Sequence, residues 1–480
     1  MLFNSFTFVI FFLIVYLLYR NLKLTGQNIL LLVASYIFYM SWDWRFISLI
    51  IISTVVDYFC GISIHKHKNK TRKKLFLTAS VTTNLGILGF FKYFNFFTDN
   101  FAALTSVLFG WSPDELTLNI VLPVGISFYT FQTMSYTIDI YRKNLEPEKN
   151  FLRFALFVSF FPQLVAGPIE LAKNLLPQIQ NTRNITSELL SKGAWMILWG
   201  FFLKIFLADN MGIISDRVFS NTEVITGGVA LLGIYAFAFQ IFGDFAGYSS
   251  IAIGVAALMG FKLRTNFLFP YLVTNPQDFW RHWHISLSSW LRDYLYISLG
   301  GNRLGEAMLY RNLFLTMLLG GIWHGAAWTF IIWGLYQGII LIIHRLFSGY
   351  IAEQMSNLGF TWGNSGKRMV QIVKIIFMFQ VTCLGWLIFR AQSVDQILVF
   401  LQSIFFNFSA YDPIISYYIL QIMFFAVPLL LIQLFEIKFK SGNSLKGFPT
   451  YSRYAIYLGL FYLIIIFGQF GSREFIYFQF

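Results

Sequence analysis

Two histidines stand out by their surroundings. His284 lies in Asp278-Phe-Trp-Arg-His-Trp-His-Ile-Ser-Leu-Ser-Ser-Trp-Leu-Arg-Asp293, which packs acids, bases and aromatics together. His324 lies in Gly320-Gly-Ile-Trp-His-Gly-Ala-Ala-Trp328, a single imidazole flanked by glycines and tryptophans in apolar sequence. Imidazole changes charge near neutral pH, so it can take a proton from a hydroxyl and give it back. A histidine bonded between helices for structure would leave the same trace at either position. Two such sites, with no metal-ligand spacing beside them, favour proton-transfer chemistry.

The residues around the pair suggest their supports. Read as one helix, the first segment places Arg281, His284 and Ser288 on one face, with Trp280, Trp283 and Trp290 as interfacial anchors. Arg281, Ser288 and Trp323 are candidate substrate contacts. Gly243-Asp-Phe-Ala-Gly-Tyr-Ser249 sets one acid, Asp244, in an apolar run and adds a fourth. The prolines of Phe160-Phe-Pro-Gln-Leu-Val-Ala-Gly-Pro-Ile-Glu170 break a helix twice, and Pro123 to Tyr129 opens another broken span. Helix packing and cavity architecture account for these last stretches better than catalysis does.

What must hold such residues is set by composition. The chain has 480 residues, of which 57% are hydrophobic and 12% charged, with mean hydropathy +0.63. Soluble domains carry about a quarter charged residues. Apolar runs recur along the whole chain, among them 43–64, 75–93, 189–208, 226–241, 309–343, 370–390, 416–435 and 454–469. The longer ones approach the roughly 20 residues that span a bilayer as a helix. They are continuous rather than alternating, which excludes barrel strands. The expectation is an all-α polytopic membrane protein, residues 1–480 forming one domain. Ionisable side chains inside such a domain are costly and mark candidate sites.

The net charge of +13 does not point to nucleic acid. Its densest block, His65 to Lys74, sits between two apolar runs, where basic residues mark a cytoplasmic loop. Arg20 and Lys23, then Lys438, Lys440, Lys446 and Arg453, read the same way and place both Met1 and Phe480 outside the cytosol. The first apolar run lacks a basic leader and a cleavage site, so no cleaved signal peptide is expected. Cys60 and Cys383 lie in apolar stretches and read as buried small hydrophobes.

These motifs carry a family resemblance. WRHWHISLSSWLRDYLYISLGGNR and GGIWHGAAWTFIIWG resemble the signature of membrane-bound O-acyltransferases, in the branch of alginate and peptidoglycan O-acetylation. PVGISFYTFQTMSYTIDIYR, FFPQLVAGPIE and FGDFAGYSSIAIGVAALMG fit the same branch, and the likeness covers about residues 1–400, with core motifs at about 120–345. It implies a ring of about 10–12 transmembrane helices around a central tunnel, in a multi-pass protein of the bacterial inner membrane. It implies His324 as the essential histidine and His284 as its partner. His282 departs from the pattern, since an Arg is common there, and no role is carried over to it.

The resemblance also implies the reaction: acetyl transfer from cytosolic acetyl-CoA, with no cofactor, to an extracytoplasmic glycan. The chain shows no stretch long enough for an outer catalytic domain, so a separate periplasmic or surface SGNH-like O-acetyltransferase is expected as partner. Membrane lipid is the other partner, and nucleic acid is not one. Residues 472–480 form an extracytoplasmic aromatic tail, and Arg-Glu-Phe-Ile-Tyr-Phe-Gln-Phe480 resembles tails in which the tyrosine is proposed to carry the acyl group. Tyr477 is therefore a candidate relay, while an interfacial aromatic anchor is the plainer alternative. D-alanyl transfer to teichoic acid and non-enzymatic polysaccharide export are the rival functions.

Overall fold

The computed structural model describes residues 1–111, 118, 120–220, 225–350, 365–409, 413–439, 445, 447–471 and 473–476, with backbone alone for 351–357 and 364. The described residues form helices and no strand. Among the described residues, eight helices are long and apolar enough to cross a membrane: Trp44–Lys66, Lys70–Phe109, Ser187–Ser220, Gly227–Leu258, Trp328–Tyr350, Ser365–Arg390, Pro413–Lys438 and Thr450–Phe467. Phe6–Arg20, Leu24–Met40 and Val394–Phe406 are shorter apolar helices. A helix satisfies its own backbone in hydrocarbon, so apolar sequence without internal partners adopts it.

Burial divides these helices by task. The most apolar windows of Ser187–Ser220 and Gly227–Leu258 are 78% buried, whereas those of Lys70–Phe109 and Thr450–Phe467 are 17% and 11% buried. The second pair turns Phe97, Phe101, Leu104, Tyr454, Leu458 and Phe461 outward, as a lipid-facing helix must. The first pair is interior scaffold. The basic block expected as one loop is mostly helix end: one helix closes at Lys66, the next opens at Lys70, and Asn69 caps it by accepting the Thr71 N–H at 2.8 Å.

Contacts group the chain into two units. The first joins Met1–Ala194 to Ala252–Arg264. In it the Arg183 guanidinium reaches Asn28 and Gln27 at 2.8 and 2.9 Å and lies over the Phe261 ring. Asp57, fully buried, accepts from the Ser80 hydroxyl and from Asn84 at 2.8 Å. The proline-broken stretch after Ser159 carries Glu170, whose carboxylate accepts the Arg264 backbone N–H. Burial pushes that carboxyl up to about 7.

The second unit joins Trp195–Ile251 to the residues from Thr265 onward. Two helices inside it contain π-turns, at Phe202–Ala208 and Leu291–Tyr296. Such turns aim side chains that a regular helix would point elsewhere. Both candidate histidines belong to this unit.

Candidate active site

The segment read as one helix is broken at the histidine. Pro276–His282 is helical, Trp283 is extended, and His284 adopts φ 41°, ψ 55° before Ile285–Trp290 resumes the helix. A left-handed conformation is uncommon without glycine, and here it separates the expected face. The Arg281 side chain is 64% exposed and pairs with Asp278 at 3.0 Å, while His284 is fully buried. Arg281 and His284 therefore do not share a face. Asn266 explains how the break is held. Its backbone carbonyl accepts the Ile285 N–H at 2.9 Å, and its Oδ1 accepts the Ser286 N–H and hydroxyl at 3.2 and 3.0 Å. The Ser288 hydroxyl donates to the Trp283 carbonyl at 3.1 Å, tying off the other side.

His324 is the last residue of the helix Glu306–His324, and Gly325 leaves it extended. The run expected to be continuous over 309–343 is thus two helices that turn back at the histidine. Backbone carbonyls at a helix C-terminus favour positive charge, which stabilises an imidazole as it takes a proton. Its ring stands edge-on to Trp323 and Trp333, with centroids at 5.0 Å, and to Phe389 at 5.4 Å. Trp323 also approaches His284, at 6.3 Å, and Phe245 packs on His284 at 4.6 Å. One indole therefore lies against both imidazoles. Burial pushes the His284 imidazole down to about 3, so this ring is neutral at physiological pH.

The arrangement offers one proton acceptor and one neutral imidazole, both shielded by aromatic rings. The profile of the membrane-bound O-acyltransferase family matches residues 147–386, which include both histidines. The probable alginate O-acetylase of Pseudomonas putida is 43% identical over 396 residues, covering 82% of this chain and 78% of that protein. The chain belongs to the membrane-bound O-acyltransferase family. The peptidoglycan O-acetyltransferase of Helicobacter pylori is 36% identical over 430 residues, covering 83% and 78% of the two chains. The teichoic acid D-alanyltransferase of Bacillus subtilis is 31% identical over 285 residues, covering 57% and 70%.

Around the pair, this O-acyltransferase departs from the sequence reading in three ways. Trp283 and Trp290 are 1% and 6% exposed, so they are core rather than interfacial anchors. Trp283 stacks against Phe279 and meets Trp386 at 4.7 Å because the break at His284 turns it inward. Asp244 is not isolated: its Oδ1 lies 2.7 Å from the Lys204 ammonium, which also meets Asp209 at 2.8 Å. Lys204 and Asn266 were missed. A lone lysine within Phe-Phe-Leu-Lys-Ile-Phe was a legible signal, since a charge at that depth needs a partner. Asn266 had none, because its role depends on a chain reversal.

The aromatic tail enters the same unit. Phe475 and Ile476 are buried, and the Ile476 N–H donates to Asp244 Oδ2 at 2.6 Å. Phe475 packs on Tyr248 at 4.8 Å and on Phe245 at 5.6 Å. Tyr477 lies outside the described residues.

Proposed function

We propose that this membrane-bound O-acyltransferase takes an acetyl group from cytosolic acetyl-CoA and passes it outward for O-acetylation of an extracytoplasmic polysaccharide. The setting is the bacterial inner membrane, with the basic helix ends around residue 70 on the donor side. One observation carries the chemistry: a single indole, Trp323, lies against both His284 and His324, the latter at the carbonyl end of its helix. His324 takes the proton of the attacking hydroxyl, a contribution of about 10²–10⁴-fold in such reactions. Neutral His284 donates to the thioester carbonyl oxygen as charge gathers there. Ser288 keeps the bend that presents His284, and Arg281, on the exposed side of the break, meets the charged part of the donor.

The first acceptor in this reading is Tyr477. Its phenol oxygen attacks the thioester carbon, the C–S bond breaks, and CoA leaves as the thiol with the proton His324 collected. A phenol has pKa about 10 and a thiol about 8.5, so an aryl acetate retains much of the thioester's transfer potential. A hydroxyl on the SGNH-like partner then takes the acetyl group and delivers it to the glycan. The Phe475–Phe245–His284 chain of ring contacts supports this path, since it runs from the residues before Tyr477 to the site.

The acetyl reading is favoured over D-alanyl transfer by relatives named as O-acetylases that match 82% of the chain, against 57% for the D-alanyltransferase. Purified protein in nanodiscs, given labelled acetyl-CoA, should become labelled, and Tyr477→Phe should abolish the label while keeping the aromatic anchor. Full labelling of Tyr477→Phe would end the relay. Transfer from a D-alanyl carrier protein but not from acetyl-CoA would end the acetyl reading.

A further inference from the structure

The proton-transfer steps leave a buried ion cluster unused. Lys204, Asp209 and Asp244 are each 3% exposed, one ammonium facing two carboxylates. Charges this deep in a membrane protein are expensive and persist where they serve something. A cavity of about 230 Å³ adjoins them, lined also by Gln240, Asp216 and the chain's own residues Arg473, Glu474 and Ile476.

The C-terminal segment is seated there at three points. Arg473 reaches Asp216 at 3.0 Å, the acid that Arg390 holds from the other side at 3.1 Å. Phe475 enters the aromatic layer over Tyr248 and Phe245. The Ile476 N–H meets Asp244 Oδ2. Gly212 leaves the wall open for the first point, since a Cβ there would stand 2.5 Å from Arg473 Nη1. The Arg473 and Phe475 side chains select which residues sit there, and the Ile476 N–H bond then holds the backbone directly after them, where the next residue leaves. A slip of one residue would carry the next side chain about 3.5 Å along the path.

We propose that Lys204 and Asp244 form a latch that holds the C-terminal segment in the register chosen by Arg473 and Phe475. Lys204, aimed by its π-turn, holds Asp244 through Oδ1 and leaves Oδ2 to the Ile476 N–H. Asp209 is the second partner that keeps the ammonium in place. Both are positioning residues that act through the segment. The inference rests on the relay reading only for its effect on transfer; the docking itself is independent of it.

The test uses the whole protein carrying Phe475→Cys, a position 1% exposed when the segment is seated, since Cys60 and Cys383 are buried. The labelling rate of that cysteine with a bulky hydrophilic maleimide reports release of the segment. Asp244→Ala removes the acceptor. Ile476→Pro removes the donor and leaves the three charged side chains in place, with Ile476→Ala, which loses the buried side chain and keeps the N–H, as its control. Asp244→Ala and Ile476→Pro should each raise labelling roughly tenfold or more, as loss of a hydrogen bond to a charged group implies. Combining them should add nothing further, because both remove one interaction. Ile476→Val should label like the parent, and Asp244→Asn, which leaves one acceptor oxygen for both the Lys204 ammonium and the Ile476 N–H, should label faster than the parent. If the segment is the acyl carrier, transfer falls with kcat rather than the KM for acetyl-CoA. Faster labelling with unchanged transfer would keep the latch and remove the relay. Unchanged labelling in Ile476→Pro, or multiplicative effects in the double variant, would overturn the latch.

Discussion

Gly321 and Gly334 meet backbone to backbone. A Cβ on Gly321 would stand 2.7 Å from the Gly334 Cα and 2.5 Å from the Phe330 carbonyl oxygen. Neither obstacle is a flexible side-chain end, so relief requires the two helices to part. His324 lies one turn beyond, at the end of the same helix. Gly321→Ala should cost about 1–3 kcal/mol of stability, as overpacking does, and should lower acetyl transfer by displacing His324. Gly349→Ala is the control, with nothing within 4 Å of its added Cβ. Equal melting and equal activity for the two variants would show that the close approach does not position the histidine.

His324→Ala should remove transfer activity by about 10²–10⁴-fold, the range of general-base help. The ring lies among Trp323, Trp333 and Phe389 at a helix end, so its loss leaves a small void bounded by large rings. Purified His324→Ala should therefore elute and melt as a folded protein while failing to turn over. Turnover near the parent rate in the folded variant would remove His324 from the mechanism.

His284 separates backbone strain from side-chain chemistry. At φ 41° any residue with a Cβ is strained, by about 1–2 kcal/mol, and glycine is not. His284→Gly and His284→Ala both lose the imidazole, so both should lose transfer. The glycine variant should nevertheless melt higher than the alanine variant by an amount in that range. The reverse order would mean that the left-handed turn relaxes once the imidazole is gone.

The same residue gives stability a pH dependence. His284 is pushed from 6.5 to about 3 by burial. Unfolding frees an imidazole that binds a proton below about pH 6.5, while the folded form binds none until about pH 3. Protons therefore favour the unfolded chain in this window, and stability falls as pH drops through 6.5 towards 3. The share of one such group is about 1 kcal/mol per pH unit. Between about pH 7 and about pH 5, the parent should lose more thermal stability than His284→Gly. Parallel losses in the two would place the titration elsewhere.

What the sequence disclosed follows from the range of the physics involved. Spanning helices are local: about 20 apolar residues suffice, and the expected runs 370–390 and 416–435 fall within helices, while 43–64 and 454–469 overlap Trp44–Lys66 and Thr450–Phe467 and overrun them only at one end. The histidines were legible because an ionisable group in apolar sequence is rare wherever the chain goes. The break at His284 was not, since nothing in Arg-His-Trp-His-Ile opposes a helix. It is imposed by Asn266, from across a chain reversal. Lys204 was legible as a charge in apolar sequence, but its partners were not, since they lie five residues on, through a π-turn, and forty residues away.

Asn266 therefore carries the last prediction. It is 1% exposed, its Oδ1 takes both bonds from Ser286, and its amide donates to the Ser249 hydroxyl at 3.1 Å. These bonds hold the residue after next to His284, on the side where the helix restarts. Asn266→Ala takes away the Ser286 acceptor at a buried position, which should cost about 1–3 kcal/mol. The larger effect should fall on catalysis, because the φ of His284 is held by its neighbours rather than by its own preference. Asn266→Asp keeps the acceptor oxygens, and the Ser249 hydroxyl can turn to donate to the carboxylate. Its cost is a carboxyl in a buried setting, which is a stability effect and leaves the turn intact. The two variants should therefore part company: Asn266→Ala folded but slow, Asn266→Asp less stable but closer to the parent in turnover per folded molecule. Measuring melting and single-turnover acetyl transfer on both separates the two effects. Equal turnover in the two folded variants would show that His284 keeps its pose without Asn266.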